Sequence, residues 1–329
     1  MNKIKLILLS LLYAFGFAFA EQMSSLKEIM DLLKDSKIIY DVESLNRKIP
    51  VPDRSAKINT PNIYRVKQNG RFSLKAFEIS NDARIAYNRG EDFFNLKQYS
   101  SARDMYKRAL LLDPNYFEMM AYIAQTYGIE QNFDLAEDWY KKAIHANYID
   151  FFAHWMLADI YMLKGQKKEA LDEITIAKIL NRNNPRLEQK FESVYAANGL
   201  DSTDWTFNPQ VKVTQTIPDH VKVEADSVWM IYGLVKAAWM YEPGYRESEL
   251  KKSSRPDLEV WECISGLSIG LDKGWKIPVI QKLQKALNLN MLSEFIFYEI
   301  DLLEDPTLSL YLEKEEIEKL KNYVIMMHR

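Results

Sequence analysis

The sequence predicts a predominantly α-helical protein, with a stacked array of helix pairs in its middle and a mostly helical C-terminal part carrying at most a few short strands. Small residues recur at a fixed interval: Gly90, Ala124 and Ala158, then Ala102, Ala136 and Ala170, then Ala109, Ala143 and Ala177 are each 34 residues apart. Aromatic residues recur beside them, with Phe93, Tyr127 and Tyr161 in one phase. Outside this region apolar residues fall mainly at helical spacing between turn-rich stretches.

At 329 residues the chain is long enough for about two domains. It divides into an N-terminal leader (1–20), a helix and extended connector (21–80), the repeat region (81–199) and a C-terminal domain (200–329). Hydrophobic residues make up 47% and charged residues 27%, with a formal net charge of −3. That balance argues against a nucleic-acid partner, which needs clustered Lys and Arg.

The leader begins with Lys3 and Lys5, continues through a short apolar run and ends in Ala18-Phe19-Ala20. This is the layout of a cleaved secretory signal, with cleavage after Ala20. Cleavage removes both lysines and no acid, taking the net charge from −3 to −5. The run is shorter than the ~20 residues of a membrane span, and no stable span is expected in the mature chain. The expected location is the bacterial periplasm or the medium. Cys263 is the only cysteine, so no internal disulfide is expected.

Residues 21–46 carry Met23, Leu26, Ile29, Met30 and Leu33 at helical spacing and predict one or two helices. The 47–68 stretch contains Pro50, Pro52 and Pro61 and reads as extended. Asn69-Gly70 predicts a hairpin turn between strands over 64–66 and 72–74.

Each repeat holds two helices, over 83–96 and 101–112 in the first. The small residues mark close helix crossings and the aromatics fill the space beside them. Asp134-Leu-Ala-Glu137 predicts a capping box opening the second helix of the second unit. Asp150 predicts an N-cap for the next helix, and Pro114 follows a helix end.

The pattern resembles the tetratricopeptide repeat family. The first unit carries Gly90, Phe93, Tyr99, Ala102, Tyr106, Ala109 and Pro114. The second carries Ala124, Tyr127, Phe133, Ala136, Tyr140 and Ala143, and the third Leu157, Ala158, Tyr161, Ala170 and Ala177. Ala86 stands where the family often has Trp, and Tyr148 and Arg182 stand in the place of Pro114. Residues 186–197 read as one further helix, the solvating cap such arrays need.

The resemblance implies a concave groove lined by the first helix of each unit and occupied by a peptide or partner protein. The residues of those helices left free by the packing pattern are Arg84, Tyr87, Asn88, Glu91, Tyr122, Gln125, Trp155 and Asp159. Tyr87, Tyr122 and Trp155 would supply contact area, and Arg84, Asn88 and Gln125 hydrogen bonds. Arg84 is the single cation of the set, unlike the lysine-rich carboxylate clamp of some family members.

Beyond a polar boundary at 198–209, Val211–Val213 and Val221–Val223 alternate as two short strands. Helices are expected over 227–241, 257–271, 278–287, 290–303 and 313–327. No family pattern is evident in this part.

The sequence shows no H-E-x-x-H, Walker A loop or G-x-S-x-G. His145, His154, His220 and His328 lack metal-ligand spacing, and no metal or cofactor is expected. Ser24-x-x-Lys27 and Ser248-x-x-Lys251 match one element of penicillin-binding enzymes without the others. Gly266, Gly270 and Gly274 fit close helix packing or a C-cap, and Cys263 a buried apolar position. Trp239, Tyr241, Glu242, Tyr245 and Arg246 surround a Pro-Gly turn and form a secondary candidate cluster, of the kind that binds sugars or peptides. The leading expectation is a non-enzymatic, exported interaction protein. The alternative is a glycan-binding, small-molecule or hydrolytic C-terminal domain docked by the repeats.

Overall fold

The computed structural model describes residues 20–60, 62–202, 205–253, 257–268 and 276–329, with side chains from Leu26 onward. The leader up to residue 19, and Gly270, Gly274 and Trp275, lie outside the described residues. In chain order the elements begin with α1 (Ala20–Asp35), β1 (Ile39–Glu43), β2 (Ile63–Gln68) and β3 (Arg71–Ala76). Seven helices follow: α2 (Asn81–Asn95), α3 (Tyr99–Leu112), α4 (Glu118–Ile129), α5 (Phe133–Ala146), α6 (Phe151–Leu163), α7 (Lys167–Leu180) and α8 (Pro185–Ala197). Then come β4 (Val211–Ile217), β5 (His220–Ala225), α9 (Met230–Tyr241), α10 (Tyr245–Lys252), α11 (Leu258–Leu267), α12 (Pro278–Asn288) and α13 (Leu292–Ile296). The chain ends with α14 (Leu302–Glu304) and α15 (Lys314–Met327). The protein is thus predominantly α-helical, with few short strands.

Two compact units emerge, each built from separated stretches of chain: Met1–Pro52 with Thr206–Ile296, and Asp53–Trp205 with Phe297–Arg329. They do not follow the four consecutive segments read from the sequence, because long-range pairing joins distant stretches within each unit.

The repeat unit is built on a backbone motif that returns every 34 residues. Lys97, Gln131, Gly165 and Gly199 all have positive φ, between 59° and 75°. The next residue in each case donates its N–H back across the end of the preceding helix: Gln98 to Phe93 O, Asn132 to Tyr127 O, Gln166 to Tyr161 O and Leu200 to Tyr195 O, at 2.8–3.0 Å. This is a Schellman closure, which satisfies carbonyls a helix end would otherwise leave bare. The same residues, Gln98, Asn132 and Gln166, are the N-caps of the second helices, and none makes a side-chain cap. The capping box expected at Asp134 is absent: α5 starts at Phe133, its N-cap is Asn132, and Asp134 already lies in the first turn. The Asp150 cap is present, its carboxylate accepting from Phe152 N at 3.0 Å.

Packing explains the small residues. A Cβ placed on Gly90 would lie 2.5 Å from Tyr106 Cε1, so only glycine lets the ring sit against α2. Ala102, Ala109, Ala124, Ala136, Ala158, Ala170 and Ala177 are all fully buried. Helix α8 stands in phase as the first helix of a fourth unit. It buries Leu187, Phe191, Val194 and Tyr195 and leaves Gln189, Glu192 and Ser193 exposed, as a capping helix should. Helix α15 packs on α7, whose residues from Ile174 to Leu180 are all buried.

The connector is fastened to the array at equivalent places. Asp113, Asn147 and Asn181, each 34 residues apart, end the second helices. Asp113 accepts from Ser80 N at 2.7 Å, Asn147 Nδ2 donates to Ile63 O at 3.0 Å, and Asn181 Nδ2 donates to Asn59 O at 3.1 Å. The 59–80 strap thus runs past the inter-repeat turns in reverse order. Its middle forms the expected hairpin, β2 antiparallel to β3, turning at Asn69 (φ 49°) and Gly70 (φ 75°).

In the other unit β1, β5 and β4 form one sheet, with β1 parallel and β4 antiparallel to β5. The expected 211–213 and 221–223 strands are present and longer. The expectation of one or two helices over 21–46 holds for α1 but fails at β1. There Ile39, Tyr40 and Val42 extend along β5, a partner some 180 residues away. Helix α9 packs on β4 and β5, and Gly233 brings it close: a Cβ there would meet Val223 Cγ1 at 2.8 Å. Gly266 of α11 lies against the α9 backbone, where a Cβ would be 2.9 Å from Tyr232 N. Cys263 is buried, and burial pushes its thiol pKa far up. The 290–303 helix is interrupted by a π-turn at Phe297–Asp301. Helix α10 and the 3-10 turn at Pro306–Tyr311 are additions that the sequence reading lacked.

Candidate functional site

The face shared by the first helices carries a continuous run of aromatic rings. Tyr87 of α2 stacks on Tyr122 of α4 at 5.8 Å, Tyr122 meets Phe152 of α6 at 6.3 Å, and Phe152 meets Trp155 edge-on at 6.3 Å. Tyr106 and Tyr116 close in behind: Tyr87 lies 6.5 Å from Tyr106 and 6.0 Å from Tyr116, and Tyr106 lies 5.7 Å from Tyr122. The three aromatic residues expected to supply contact area are therefore joined into one row.

The polar members separate into two settings. Glu91 accepts a hydrogen bond from the Tyr106 hydroxyl at 2.5 Å. Asp159 pairs with Lys190 of α8 at 2.6 Å. Arg84 and Asn88 are exposed, and Gln125 is half-buried. Trp155 is half-buried, and its indole N–H is shielded with no acceptor.

Residues missed from the sequence complete the face. Glu118, at the start of α4, and Phe152, near the start of α6, occupy the same repeat position as Arg84, so the period itself could have found them. Burial, with the nearby charge of Asp150, pushes the Glu118 carboxyl up to about 7. Asp150 itself is pushed up to about 6 by burial. The phenols of Tyr87, Tyr106, Tyr116 and Tyr122 are all raised, by burial first and by neighbouring carboxylates second. His154 is buried, with Nδ1 against Glu173 at 2.5 Å and Nε2 against the Tyr148 carbonyl at 2.9 Å. A cleft of about 590 Å³ beside Tyr116 is lined by Tyr64, Phe77, Glu78 and Asp113. Among the described residues, no three His, Cys, Asp or Glu side chains are placed to hold a metal ion. No helix among them is long and apolar enough to cross a membrane.

In the secondary cluster, Trp239 Nε1 and the Tyr245 hydroxyl both donate to buried Glu262, each at 2.8 Å. Glu242 accepts from the Tyr40 hydroxyl at 2.8 Å. Tyr241 is half-buried and Arg246 exposed. The cluster's polar tips are thus largely spent on one another and on Tyr40 and Glu262, two residues the sequence reading did not include.

In-phase helix pairs, closed by the same turn and carrying a row of aromatic rings on their first helices, define a helical-repeat fold. The array is made of tetratricopeptide repeats: the Tetratricopeptide repeat family matches residues 83–116, and the turn and cap geometry carries the same phase through the following units. No curated protein matches the chain. Among solved structures, the first TPR of Spaghetti (RPAP3) bound to an HSP90 peptide is 20% identical, covering 36% of this chain and 95% of its own, with a TM-score of 0.34. The Arabidopsis OM64 TPR domain is 17% identical over 35% of this chain and 95% of its own, with a TM-score of 0.33. The Yersinia enterocolitica type III secretion chaperone SycD, in complex with a peptide of the translocator YopD, is 17% identical over 36% and 90%, with a TM-score of 0.33.

Proposed function

We propose that this protein is an exported, non-enzymatic interaction protein that holds an extended segment of a partner protein on the inner face of its tetratricopeptide array. The observation that carries this reading is the unbroken row of rings from Tyr87 through Tyr122 and Phe152 to Trp155. Rings give large contact area at little entropic cost, and such residues dominate binding energy at interfaces. Asn88 and Gln125 flank the row with amide groups suited to a peptide backbone. The strap is fastened to the ends of the second helices, at Asp113, Asn147 and Asn181, and not to the first helices that carry the row.

A photo-crosslinking residue at Asn88 or Gln125 tests the reading. It should trap one protein in cells, while the same residue at exposed Lys107 on α3 should not. Equal trapping at all three positions would remove the groove from consideration. Export belongs to the same proposal and rests on residues 1–20. Intact-mass measurement of fractionated cells should find a chain beginning at Glu21 outside the cytoplasm; an uncleaved cytoplasmic chain would overturn it.

A further inference from the structure

The inner face is electrically lopsided. At the α6–α8 end the acid Asp159 has its cation, Lys190. At the α2–α4 end two carboxylates, Glu91 and Glu118, have no ion-pair partner among the described residues. Both act on the same phenols, Tyr87, Tyr116 and Tyr122. Arg84, the neighbouring cation, is exposed and forms no ion pair among the described residues. A carboxylate withdrawn from water without a counter-charge is costly, and Glu118 registers that cost in its raised pKa. The ring faces beside these acids carry negative potential of their own, which attracts cations.

We propose that the α2–α4 end of the groove is a cation-accepting pocket, in which a lysine or arginine side chain of the bound segment lies against Tyr87 and Tyr122 and meets the carboxylates of Glu91 and Glu118. This rests on the groove reading above and names the chemistry of its occupant. A metal ion fits poorly, since two carboxylates with high-pKa phenols offer no third charged ligand. A free C-terminal carboxylate would face two acids of its own sign. A long cationic side chain fits on both counts: its methylenes pack on the rings and its charge reaches the acids.

Titration of the purified protein with capped peptides of the form Ala-Leu-Ala-X-Ala-Leu-Ala, with X as lysine, norleucine or glutamate, tests the pocket. The lysine peptide should bind about tenfold tighter than its norleucine isostere, with the glutamate peptide weakest. In a Glu91→Gln, Glu118→Gln double variant the lysine preference should shrink to within about twofold while norleucine binding persists. Norleucine equal to lysine, a preference for glutamate, a preference that survives the double variant, or no binding at millimolar peptide each overturns the pocket. Cross-linking separates the two readings. If all three peptides bind alike and are captured from Asn88, the groove stands and the cation pocket falls. If the lysine peptide is captured only from Lys107, both fall.

Discussion

Asn59 and Asn181 hold each other by exchanged hydrogen bonds: Asn59 N donates to Asn181 Oδ1 at 2.8 Å, and Asn181 Nδ2 donates to Asn59 O at 3.1 Å. Both residues are buried, and Asn59 Nδ2 also donates to the Leu180 and Pro306 carbonyls, at 2.5 and 2.9 Å. Removing one side chain orphans buried partners. Asn181→Ala should therefore destabilise the protein by about 2–4 kcal/mol. Urea denaturation of the variant should show the lowered midpoint, and an unchanged one would mean the strap contributes nothing to stability.

Gly90→Ala drives a methyl into the Tyr106 ring. Tyr106 is 1% exposed and anchored to Glu91, so it has little room to retreat. Overpacking of this kind costs about 1–3 kcal/mol. Ala136→Leu, at a fully buried helix crossing, should cost a similar amount. Thermal melts of both variants would check this.

Lys97 and Gln131 hold the left-handed conformation that Gly165 and Gly199 fill without strain. A side chain there crowds its own carbonyl, whereas glycine's larger freedom in the unfolded chain offsets part of the gain. Lys97→Gly and Gln131→Gly should each stabilise by roughly 0.5 kcal/mol, and Gly165→Ala should destabilise by about 1 kcal/mol. Chemical denaturation resolves both signs.

Glu118 and Asp150 have raised pKa values in the folded state, about 7 and about 6. Each binds its proton more tightly folded than unfolded, so its contribution is greatest below pH ~4 and is lost as pH rises toward 7. The phenols of Tyr87, Tyr116 and Tyr122 around Glu118 are all raised and stay neutral across that window. Glu118→Gln should raise the denaturation midpoint relative to the parent at pH 8 and leave it nearly unchanged at pH 4. A midpoint difference independent of pH would contradict the burial of this acid.

Tyr87→Ala and Trp155→Ala remove the two ends of the ring row. Loss of an anchor at a true interface costs about 2 kcal/mol of binding or more. Partner capture should weaken at least tenfold in each variant while circular dichroism is kept. If both fold and retain the partner, the turn around Trp239 and Arg246 is the next surface to test.

The array was legible in the sequence because its determinants are local. Gly90, Ala124 and Ala158 sit where helices cross, and that spacing is visible without knowing what lies across the fold. The row of rings was legible for the same reason, as far as Tyr87, Tyr122 and Trp155. Glu118 was passed over although it shares a repeat position with Arg84, because the packing pattern says which residues are free and not which become desolvated. Strand β1 was misread because Ile39–Glu43 is defined by β5, a partner no local window contains. The asparagine fastenings failed to register likewise: Asn147 and Asn181 look like ordinary helix stops until the strap is laid against them. At Asp134 a local signal was present but the helix begins earlier, at Phe133, so Asp134 falls inside its first turn.

The strap's fastenings impose an order of events on the growing chain. Asn59 is made early, yet its partners lie 121 and 122 residues later at Leu180 and Asn181, and 247 residues later at Pro306. Helix pairs need only their neighbours and can form as they emerge, whereas contacts of such separation carry a large loop-closure cost and come late. The fastening at Pro306 can therefore form only after every repeat has been made. A chain released before Pro306 would own every repeat and still lack the last clasp that holds its beginning in place.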